Sequence, residues 1–394
     1  MNLPVWLRKL LPVLALILLT AAISTPIYAA RILEPTTSDY DAHIVWTLRM
    51  LRRELPPTDI IARPALQLAI GFFYWAGRGR LGLWESAVLV QVLAQIAAAL
   101  ILYAWIGPIR RKWGEVLRVF LAISLTVVAP VMLLAFIDHK FYFGYIALAN
   151  YHNPTVHLLR PFALATFFFS LRSFKIPRSP LWMVLLAAAC AIGGMMTKPN
   201  YAIALLPALG LAALWFIWKK RPIDWRMLLG GVVVPLTAML VFQFVMVYML
   251  PDAGPTRIEV APFAVESYWS GYLPLKFLLS ILFPLAVLAL NWKQVRQDDE
   301  MILVWITFLI AVVQMYLFAE TGDRFRDANF RWGAQVALLI LFASSVRFML
   351  QRAAQETTAP QKRWPAAIVY AMYALHIAGG IAYYIYCFVQ VGYA

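Results

Sequence analysis

Apolar runs of about 20 residues recur along the whole chain, separated by short polar segments that carry arginine and lysine. An α-helix needs roughly this length to cross the hydrocarbon core of a bilayer. The pattern therefore predicts about eleven membrane-spanning helices. They lie near residues 10–30, 82–106, 117–137, 154–172, 181–196, 201–218, 227–250, 272–290, 301–319, 333–350 and 365–388.

The composition excludes a soluble fold. Hydrophobic residues make up 63% of the 394 residues and charged residues only 13%, whereas a soluble domain carries about 25% charged residues. We therefore expect a single all-α polytopic membrane domain over 1–394, with no separate soluble domain. Cys190 and Cys387 both lie inside apolar runs, which argues against a disulfide framework or a thiolate metal site.

The formal net charge of +15 does not indicate a nucleic-acid partner. The 34 lysines and arginines are scattered through short segments between helices instead of forming a basic stripe. Their expected partner is the membrane surface, and clusters such as 110–112 and 219–221 mark cytoplasmic loops by the positive-inside rule. Most of the 15 tryptophans, Trp269 and Trp332 among them, lie at the ends of predicted helices. This is typical of an interfacial aromatic belt.

Two segments decide how the chain is threaded. Residues 8–30 imitate a secretory signal, and we interpret them as an uncleaved first membrane helix. Residues 63–76 are apolar but short, and we interpret them as a helix that lies on the outer face or dips into it. The longer polar segments then lie outside, on the periplasmic side of what we expect to be a bacterial inner membrane. These outer segments are 31–81, 138–153, 197–200, 251–271 and 320–332.

Two carboxylates open the first outer segment. Asp39 and Asp41 precede a stretch from Ile44 to Leu55 in which apolar residues recur at helical spacing, so we expect an amphipathic helix in the membrane interface. The helix dipole favours acidic residues at such a position, which is a sufficient structural explanation. A carboxylate held just above the membrane can also take a proton from an acceptor hydroxyl. Both interpretations stay open at this point.

The run Ser38-Asp39-Tyr40-Asp41-Ala42-His43, directly after the first predicted helix, resembles the acidic first-loop motif of the GT-C superfamily of integral membrane glycosyltransferases. It is similar in particular to the Gly-Asp-Tyr-Glu-Ala motif of the dolichyl-phosphate-glucose-dependent glucosyltransferases. The resemblance implies a GT-C-like helical bundle, a polyprenyl-phosphate sugar donor, Asp39 as the catalytic base and Asp41 in support. His43 and Ser38 differ from that motif, so the resemblance does not imply which sugar is transferred.

The other outer segments, and the helix ends beside them, supply further candidates for substrate binding. Arg160 follows His157 inside a predicted span, where an arginine is expensive unless it faces a polar cavity or an anion. The alternative is that it reaches the membrane surface or pairs with a carboxylate such as Asp138. Lys198 either anchors a turn at the interface or points into the same cavity. The substrate-binding candidates outside segment 320–332 are His43 of the first outer segment and Lys140, His152, His157, Arg160 and Lys198.

Segment 320–332 is dense in charge, with three arginines and three acids in thirteen positions. One interpretation is a solvated loop whose charges pair with one another. The other is that the arginines bind the phosphate of the donor, because negative charge develops there as the sugar leaves and guanidinium groups match phosphate oxygens. On this interpretation Arg324, Arg326 and Arg331 hold the carrier phosphate.

The sequence gives no firm indication of a cofactor. Asp39 and Asp41 could together bind Mg²⁺ or Mn²⁺, and four of the five histidines lie at or near the predicted outer side. None of these histidines has a recognised ligand spacing such as His-Glu-x-x-His. A metal site therefore stays open, with Asp39 and Asp41 as its candidate ligands.

Together with the resemblance, these residues predict an inverting glycosyltransferase that moves a monosaccharide from a polyprenyl-phosphate carrier to a glycan, lipid or protein acceptor of the cell envelope. One alternative is an enzyme of the O-antigen polymerase or ligase type. Such an enzyme would place its basic residues in a large outer loop, and the outer loops of this chain are short. Another is a lipid-linked sugar transporter or flippase, whose polar residues would cluster near mid-bilayer. The charges of this chain gather instead at one predicted membrane face.

Overall fold

The computed structural model describes residues 5–33, 39–250, 256–355 and 363–389. In this part of the chain nearly all regular structure is helical, as the apolar pattern predicts. The helices of the first half are α1 (Val5–Leu33), α2 (Asp39–Leu51), α3 (Thr58–Ala62), α4 (Ala65–Ala76), α5 (Leu83–Ile106), α6 (Gly114–Val127), α7 (Ala135–Asp138), α8 (Pro154–Lys175), α9 (Leu181–Thr197) and α10 (Asn200–Trp218).

The second half adds longer helices and a small sheet. Helix α11 (Val234–Phe244) is flanked by π-helical turns over Arg226–Val233 and Val245–Met249. The other elements are β1 (Ile258–Val260), α12 (Ala264–Trp269), α13 (Leu273–Leu290), α14 (Trp292–Val295), α15 (Asp299–Leu317), β2 (Phe318–Glu320), a 3₁₀ turn (Gly322–Asp327), α16 (Asn329–Gln355) and α17 (Arg363–Val389).

Eight stretches of described helix are long and apolar enough to cross a membrane, which confirms the predicted all-α polytopic membrane protein. Three of the predicted spans do not reach this standard. Helix α6 has only 14 residues and α9 has 17, while α8 has 22 but carries Arg160 and two basic residues in its last turn. The eight stretches are Leu10–Leu33, Leu83–Ile106, Asn200–Trp218, Arg226–Met249, Leu273–Leu290, Asp299–Leu317, Gly322–Gln355 and Trp364–Val389.

The first outer segment folds into short helices that pack against the bundle. Helix α2 begins at Asp39 and ends at Leu51, earlier than the predicted end at Leu55. The left-handed backbone of Arg53 and the two prolines after Leu55 do not continue a helix. Helix α4 covers most of the predicted short helix 63–76 and has 12 residues, too few to cross a bilayer. Ser38 of the motif lies outside the described residues.

Helix α16 runs through the middle of the bundle. Its residues from Arg331 to Val346 are all buried, and it packs against α10, α13 and α15. A helix buried all round belongs to the interior of the fold. Burial already begins in its first turn, at Arg331 and Trp332.

A small antiparallel sheet joins two outer segments. Strand β1 pairs with β2 in the register Ile258↔Glu320, Glu259↔Ala319 and Val260↔Phe318. Segment 320–332 is therefore not a simple loop, because the chain runs from β2 through the 3₁₀ turn into the first turn of α16. This arrangement places Arg324 and Arg326 on the turn and Arg331 on the helix.

Candidate active site

A polar cavity of about 430 Å³ opens where the ends of α2, α3, α8, α9, α12 and α16 meet. Charged and aromatic side chains dominate its wall. More of the charged side chains are basic than acidic, so the cavity suits an anionic ligand. The charged residues of the wall are Asp39, Asp59, Arg63, Lys198, Arg324, Arg326, Asp327 and Arg331.

Asp39 opens into this cavity from the first turn of α2. Its Oδ2 accepts a hydrogen bond from Nδ2 of Asn153, 3.2 Å away. Asn153 is itself held as the N-cap of α8, because its side chain accepts from the backbone N–H of Val156 and Pro154 takes the first helical position. The start of α8 therefore sets the position of the Asp39 carboxylate.

The protein around Asp39 raises the pKa of its carboxyl group. The group is open to the cavity on one side, but the surrounding atoms partly desolvate its charged form, which raises the pKa. The positive charge of Lys198 acts in the opposite direction. A carboxylate with a raised pKa is a stronger base than an ordinary aspartate, which suits it to proton abstraction.

Two basic residues enter the cavity from helix ends that are built alike. Lys198 is the C-cap of α9 and precedes Pro199. Arg63 is the C-cap of α3 and precedes Pro64. Because a residue before proline is pushed out of the helical conformation, each helix stops at its basic residue. Both side chains are thereby carried to the cavity wall.

A chain of hydrogen bonds connects Lys198 with Asp39. Nζ of Lys198 donates to Oγ1 of Thr155 at 3.3 Å, and Thr155 donates to Oδ1 of Asn153 at 2.8 Å. Asn153 then donates to Asp39. Burial, and secondarily the charge of Arg63, lower the pKa of Lys198 to about 7. The charge of Lys198 therefore responds to pH near neutrality.

The 3₁₀ turn contributes two arginines with loose partners. Nη2 of Arg324 lies 3.9 Å from Oδ2 of Asp59, and its Nη1 lies 4.0 Å from Oε1 of Glu320. The guanidinium carbon of Arg326 lies 5.5 Å from the ring centre of Tyr268. Within the described residues, no carboxylate forms an ion pair with Arg326. Both guanidinium groups can therefore turn N–H donors toward phosphate oxygens.

Arg331 differs from Arg324 and Arg326 because a buried carboxylate already balances its charge. Its Nε and Nη2 donate to the two carboxylate oxygens of Glu266 at 3.0 and 2.7 Å. The two side chains are only 2% and 1% exposed. This pair joins α16 to α12 and supports the cavity wall. Arg331 is therefore a weaker candidate for binding the carrier phosphate than Arg324 or Arg326.

Two tryptophans belong to the cavity wall. Trp269 stacks on Phe143 with 4.6 Å between ring centres, and the ring of Trp332 lies 4.9 Å from Nζ of Lys198. Behind this wall, Nζ of Lys276 donates to the carbonyl oxygen of Phe143 at 3.0 Å. The tryptophans assigned above to an interfacial belt thus also shape the site, which their position at helix ends alone does not reveal.

His43 and His152 line the cavity as neutral imidazoles. Burial and neighbouring positive charges lower the pKa of His43 to about 4 and that of His152 to about 3. Nδ1 of His43 lies 2.7 Å from Nε2 of Gln67, and the ring of His152 packs 4.6 Å from that of Tyr142. Both imidazoles can offer hydrogen bonds to sugar hydroxyls without adding charge.

Two further predicted residues do not line the cavity. Asp41 is two positions after Asp39 on α2, so its side chain leaves another side of the helix. Lys140 is exposed and its side chain does not line the cavity. Neither residue is brought together with Asp39 at the site.

His157 and Arg160 lie in the interior of the bundle, not in the cavity wall. Both are buried on α8. Arg160 donates to the carbonyl oxygen of Leu148, and its Nη1 lies 3.3 Å from Nδ1 of His157. Nδ1 of His157 is also 2.7 Å from the hydroxyl of Tyr28. Asp138, the carboxylate considered for Arg160, pairs with Lys276 instead.

Several wall residues were not among the predicted candidates: Asp59, Arg63, Asn153, Thr155 and Asp327. Two of them have a local signal. Asn153 precedes a proline at the start of a helix, and Arg63 precedes a proline at the end of one, in the same way as Lys198. Asp59 and Asp327 have no such signal, since only the tertiary structure brings α3 and the 3₁₀ turn to the same cavity.

The charged residues do not form a divalent metal site in the part of the chain that the structure describes. Among these residues no group of three or more His, Cys, Asp or Glu side chains lies close enough to hold one ion. Asp39 and Asp41 also leave different sides of α2, so the two predicted ligands do not converge. Among the described residues, Asp39 and Asp41 therefore do not form the shared Mg²⁺ or Mn²⁺ site considered above.

No protein-family model matches the chain, and no curated protein matches its sequence. A solved structure with a similar layout is the crystal structure of the Archaeoglobus fulgidus oligosaccharyltransferase, tethered with an acceptor peptide through a disulfide bond. The similarity has a TM-score of 0.46 and 13% sequence identity, and it covers 93% of this chain. The chain spans about half of the length of that enzyme, at 55%.

Proposed function

We propose that this integral membrane protein is a GT-C-like glycosyltransferase that moves a monosaccharide from a polyprenyl-phosphate carrier to an acceptor on the outer side of the membrane. The observation that carries the proposal is that the carboxylate of Asp39 opens into one cavity with Arg63, Lys198, Arg324 and Arg326. A base and a group of cations are what a hydroxyl needs to displace a phosphate from a sugar.

In the proposed reaction Asp39 takes the proton of the acceptor hydroxyl. The hydroxyl oxygen forms a bond to the anomeric carbon while the bond from that carbon to the phosphate oxygen breaks. The bonding electron pair leaves with the phosphate, and the configuration at the anomeric carbon inverts. The proton stays on Asp39 until the acceptor product leaves. The proton then passes from Asp39 to water. No general acid is needed, because a phosphate is a good leaving group.

In this proposal Lys198, Arg324 and Arg326 bind the leaving phosphate, with Arg63 beside them. Each can donate N–H groups to phosphate oxygens, and hydrogen bonds between ionised partners are stronger than those between neutral ones. Arg331 is not in this group, because Glu266 already balances its charge. The apolar tail of the carrier would lie between helices, in contact with the bilayer.

The sugar would occupy the part of the cavity walled by aromatic and neutral polar groups. Trp269 and Trp332 offer flat apolar surfaces, and His43 and His152 offer uncharged hydrogen-bonding nitrogens. The acceptor is a glycan, lipid or protein of the cell envelope, on the periplasmic side if the membrane is a bacterial inner membrane.

The direct test is transfer of labelled sugar by the purified protein in detergent. A panel of labelled polyprenyl-phosphate sugars and polyprenyl-diphosphate oligosaccharides is offered with an extract of cell-envelope lipids and glycans. Wild type is compared with Asp39→Asn and with Glu54→Gln, a matched loss of a carboxylate that lies outside the cavity and pairs with Arg49 at the surface. We expect labelled product from wild type and Glu54→Gln, and a loss of at least about 100-fold for Asp39→Asn.

Equal product from wild type and Asp39→Asn would remove Asp39 from the mechanism. Flux of the labelled donor into proteoliposomes without a covalent product would instead support a transporter. Transfer from polyprenyl-diphosphate oligosaccharides only, with no use of monophosphate donors, would support an enzyme of the polymerase or ligase type.

A further inference from the structure

Gln243 is a polar residue inside an apolar membrane helix. It lies on α11, within the candidate span Arg226–Met249, and is only 3% exposed. An amide in such surroundings is costly unless it is hydrogen-bonded. Its Nε2 donates to the carbonyl oxygens of Ala62 at 3.1 Å and of Met195 at 2.5 Å. An amide nitrogen has two N–H donors, and both are used.

The two acceptors belong to the ends of two different helices. Ala62 is the last residue of α3, and Met195 lies in the last turn of α9. The last four carbonyl groups of a helix have no partner within the helix, so each such end needs a donor from elsewhere. Gln243 is itself buried against these two ends, so its amide supplies the donors. The side chain of Gln243 therefore caps the ends of α3 and α9 at the same time.

These are the two helix ends that carry cations into the cavity. Arg63 follows Ala62 directly and is the C-cap of α3, and Lys198 is the C-cap of α9. Each is turned out of its helix by the proline that follows it. One amide thus ties together the backbone segments that present Arg63 and Lys198.

In the observed orientation of the Gln243 amide, the N–H donors form hydrogen bonds and the carbonyl oxygen does not. Oε1 of Gln243 is buried and has no hydrogen-bond partner among the described residues. The opposite orientation would place Oε1 against two carbonyl oxygens, which repel it. Leaving one buried acceptor unpaired is costly. The two hydrogen bonds donated by the N–H groups of Gln243 offset this cost.

We propose that Gln243 is a positioning residue that fixes the distance between Arg63 and Lys198, so that both cations meet one phosphate group in the cavity. The inference rests on the proposed function in one respect: it takes the anion to be the phosphate of the donor. Gln243 itself does not line the cavity. It acts through the two backbone segments that it holds.

Binding of farnesyl phosphate, a short polyprenyl monophosphate, tests this role without requiring sugar transfer. The affinity is measured by calorimetry on the full chain in detergent. Gln243→Met keeps the size of the side chain and removes both donors, and we expect affinity to fall about tenfold, equal to about 1.4 kcal/mol. In Gln243→Glu the carboxyl group is neutral in these apolar surroundings and keeps one donor, so we expect the affinity to fall only about threefold.

Gln314→Met is the matched control. Gln314 is also a membrane-helix glutamine whose Nε2 donates to a helix carbonyl, that of Ile203 at 3.1 Å. Unlike Ala62, which directly precedes Arg63, Ile203 lies within α10 and is not followed by a residue of the cavity wall. We expect this variant to bind farnesyl phosphate as wild type does. Equal losses in the Gln243 and Gln314 variants would show a general effect on folding and overturn the proposal.

A double-mutant cycle with Lys198→Met separates positioning from simple loss of stability. If Gln243 acts through Lys198 and Arg63, the effect of Gln243→Met must shrink once Lys198 is gone. Additive effects, or unchanged affinity in Gln243→Met, would overturn the proposal. If Gln243→Met cannot be purified, Gln243→Glu enters the same cycle. Tight binding by wild type without any sugar transfer would count against the proposed function while leaving this test readable.

Discussion

The side-chain amide of Asn153 donates a hydrogen bond to Oδ2 of Asp39 across 3.2 Å, although the two residues are 114 positions apart in the chain. Asn153 is at the same time the N-cap of α8. The proposed base is therefore not held by its own short helix alone. The start of a long buried helix sets its position, and this relationship leads to a first prediction.

Asn153→Ser should separate the two roles of this residue. Serine is a good N-cap, so the stability of α8 should change by no more than about 0.5 kcal/mol. The donor to Asp39 is lost, so the start of α8 no longer holds the carboxylate in place. We therefore expect kcat to fall at least about tenfold with little change in melting temperature.

Asn153→Ala is the companion variant, because it removes both the cap and the donor. It should lower kcat by a similar factor and also cost about 1 kcal/mol of stability. Full transfer activity in Asn153→Ser would show that Asp39 does not depend on this hydrogen bond.

The pH profile of kcat/KM should have limbs set by Asp39 and Lys198. Asp39 must be ionised to act as a base, and its raised pKa means that activity falls on acidification at a higher pH than for an ordinary aspartate. Lys198 must be charged to hold phosphate. Its pKa of about 7 means that donor capture is present below that pH and is lost as the pH rises through it.

Lys198→Arg checks the alkaline limb, because an arginine side chain stays protonated throughout this range. The fall in kcat/KM near pH 7 should disappear in this variant, while the acid limb remains. An unchanged alkaline limb would assign that limb to another group.

Arg331 and Arg326 should respond differently to substitution. Glu266→Gln leaves the buried charge of Arg331 without its partner, which we expect to cost about 3–5 kcal/mol of stability. Arg326→Met removes an exposed guanidinium group, so stability should change by no more than about 0.5 kcal/mol. Its effect should be weaker binding of farnesyl phosphate. Thermal melting in detergent and calorimetry measure the two effects, and a Glu266→Gln protein of normal stability would contradict the assignment.

Gly144 is required by a close approach of the chain behind the cavity wall. Its φ is +82°, and a Cβ there would lie 2.8 Å from Cβ and Oγ of Ser270 and 2.9 Å from Cδ of Lys276. Gly144→Ala should therefore cost about 2–4 kcal/mol, from backbone strain and overpacking together. Gly210→Ala is the matched control, because nothing lies within 4 Å of its Cβ position. It should leave the melting temperature unchanged or slightly raised, since alanine favours a helix.

Much of the framework follows from the sequence because it depends on local and solvent-driven rules. Apolar runs predict the membrane helices, and the acidic turn at Asp39 is indeed where α2 begins. Prolines after Arg63, Asn153 and Lys198 indicate where helices stop or start, since proline restricts its own residue and the one before it. Three of the predicted spans fall short of the membrane-crossing standard in the structure, because α6 and α9 are short and α8 carries charge.

The composition of the site was decided by tertiary structure. Arg331 has the same local sequence signal as Arg324, yet Glu266, 65 positions earlier, balances its charge. Arg160 was a reasonable candidate for an anion site, but the packing of α8 turns it toward Leu148 and His157. The sequence alone determined that this chain fills a bilayer with helices and gathers charge at their ends, because hydrophobic length and proline act locally. Which of those charges share a cavity was decided only when distant helix ends met, because ion pairing and burial depend on neighbours that lie far apart in the chain.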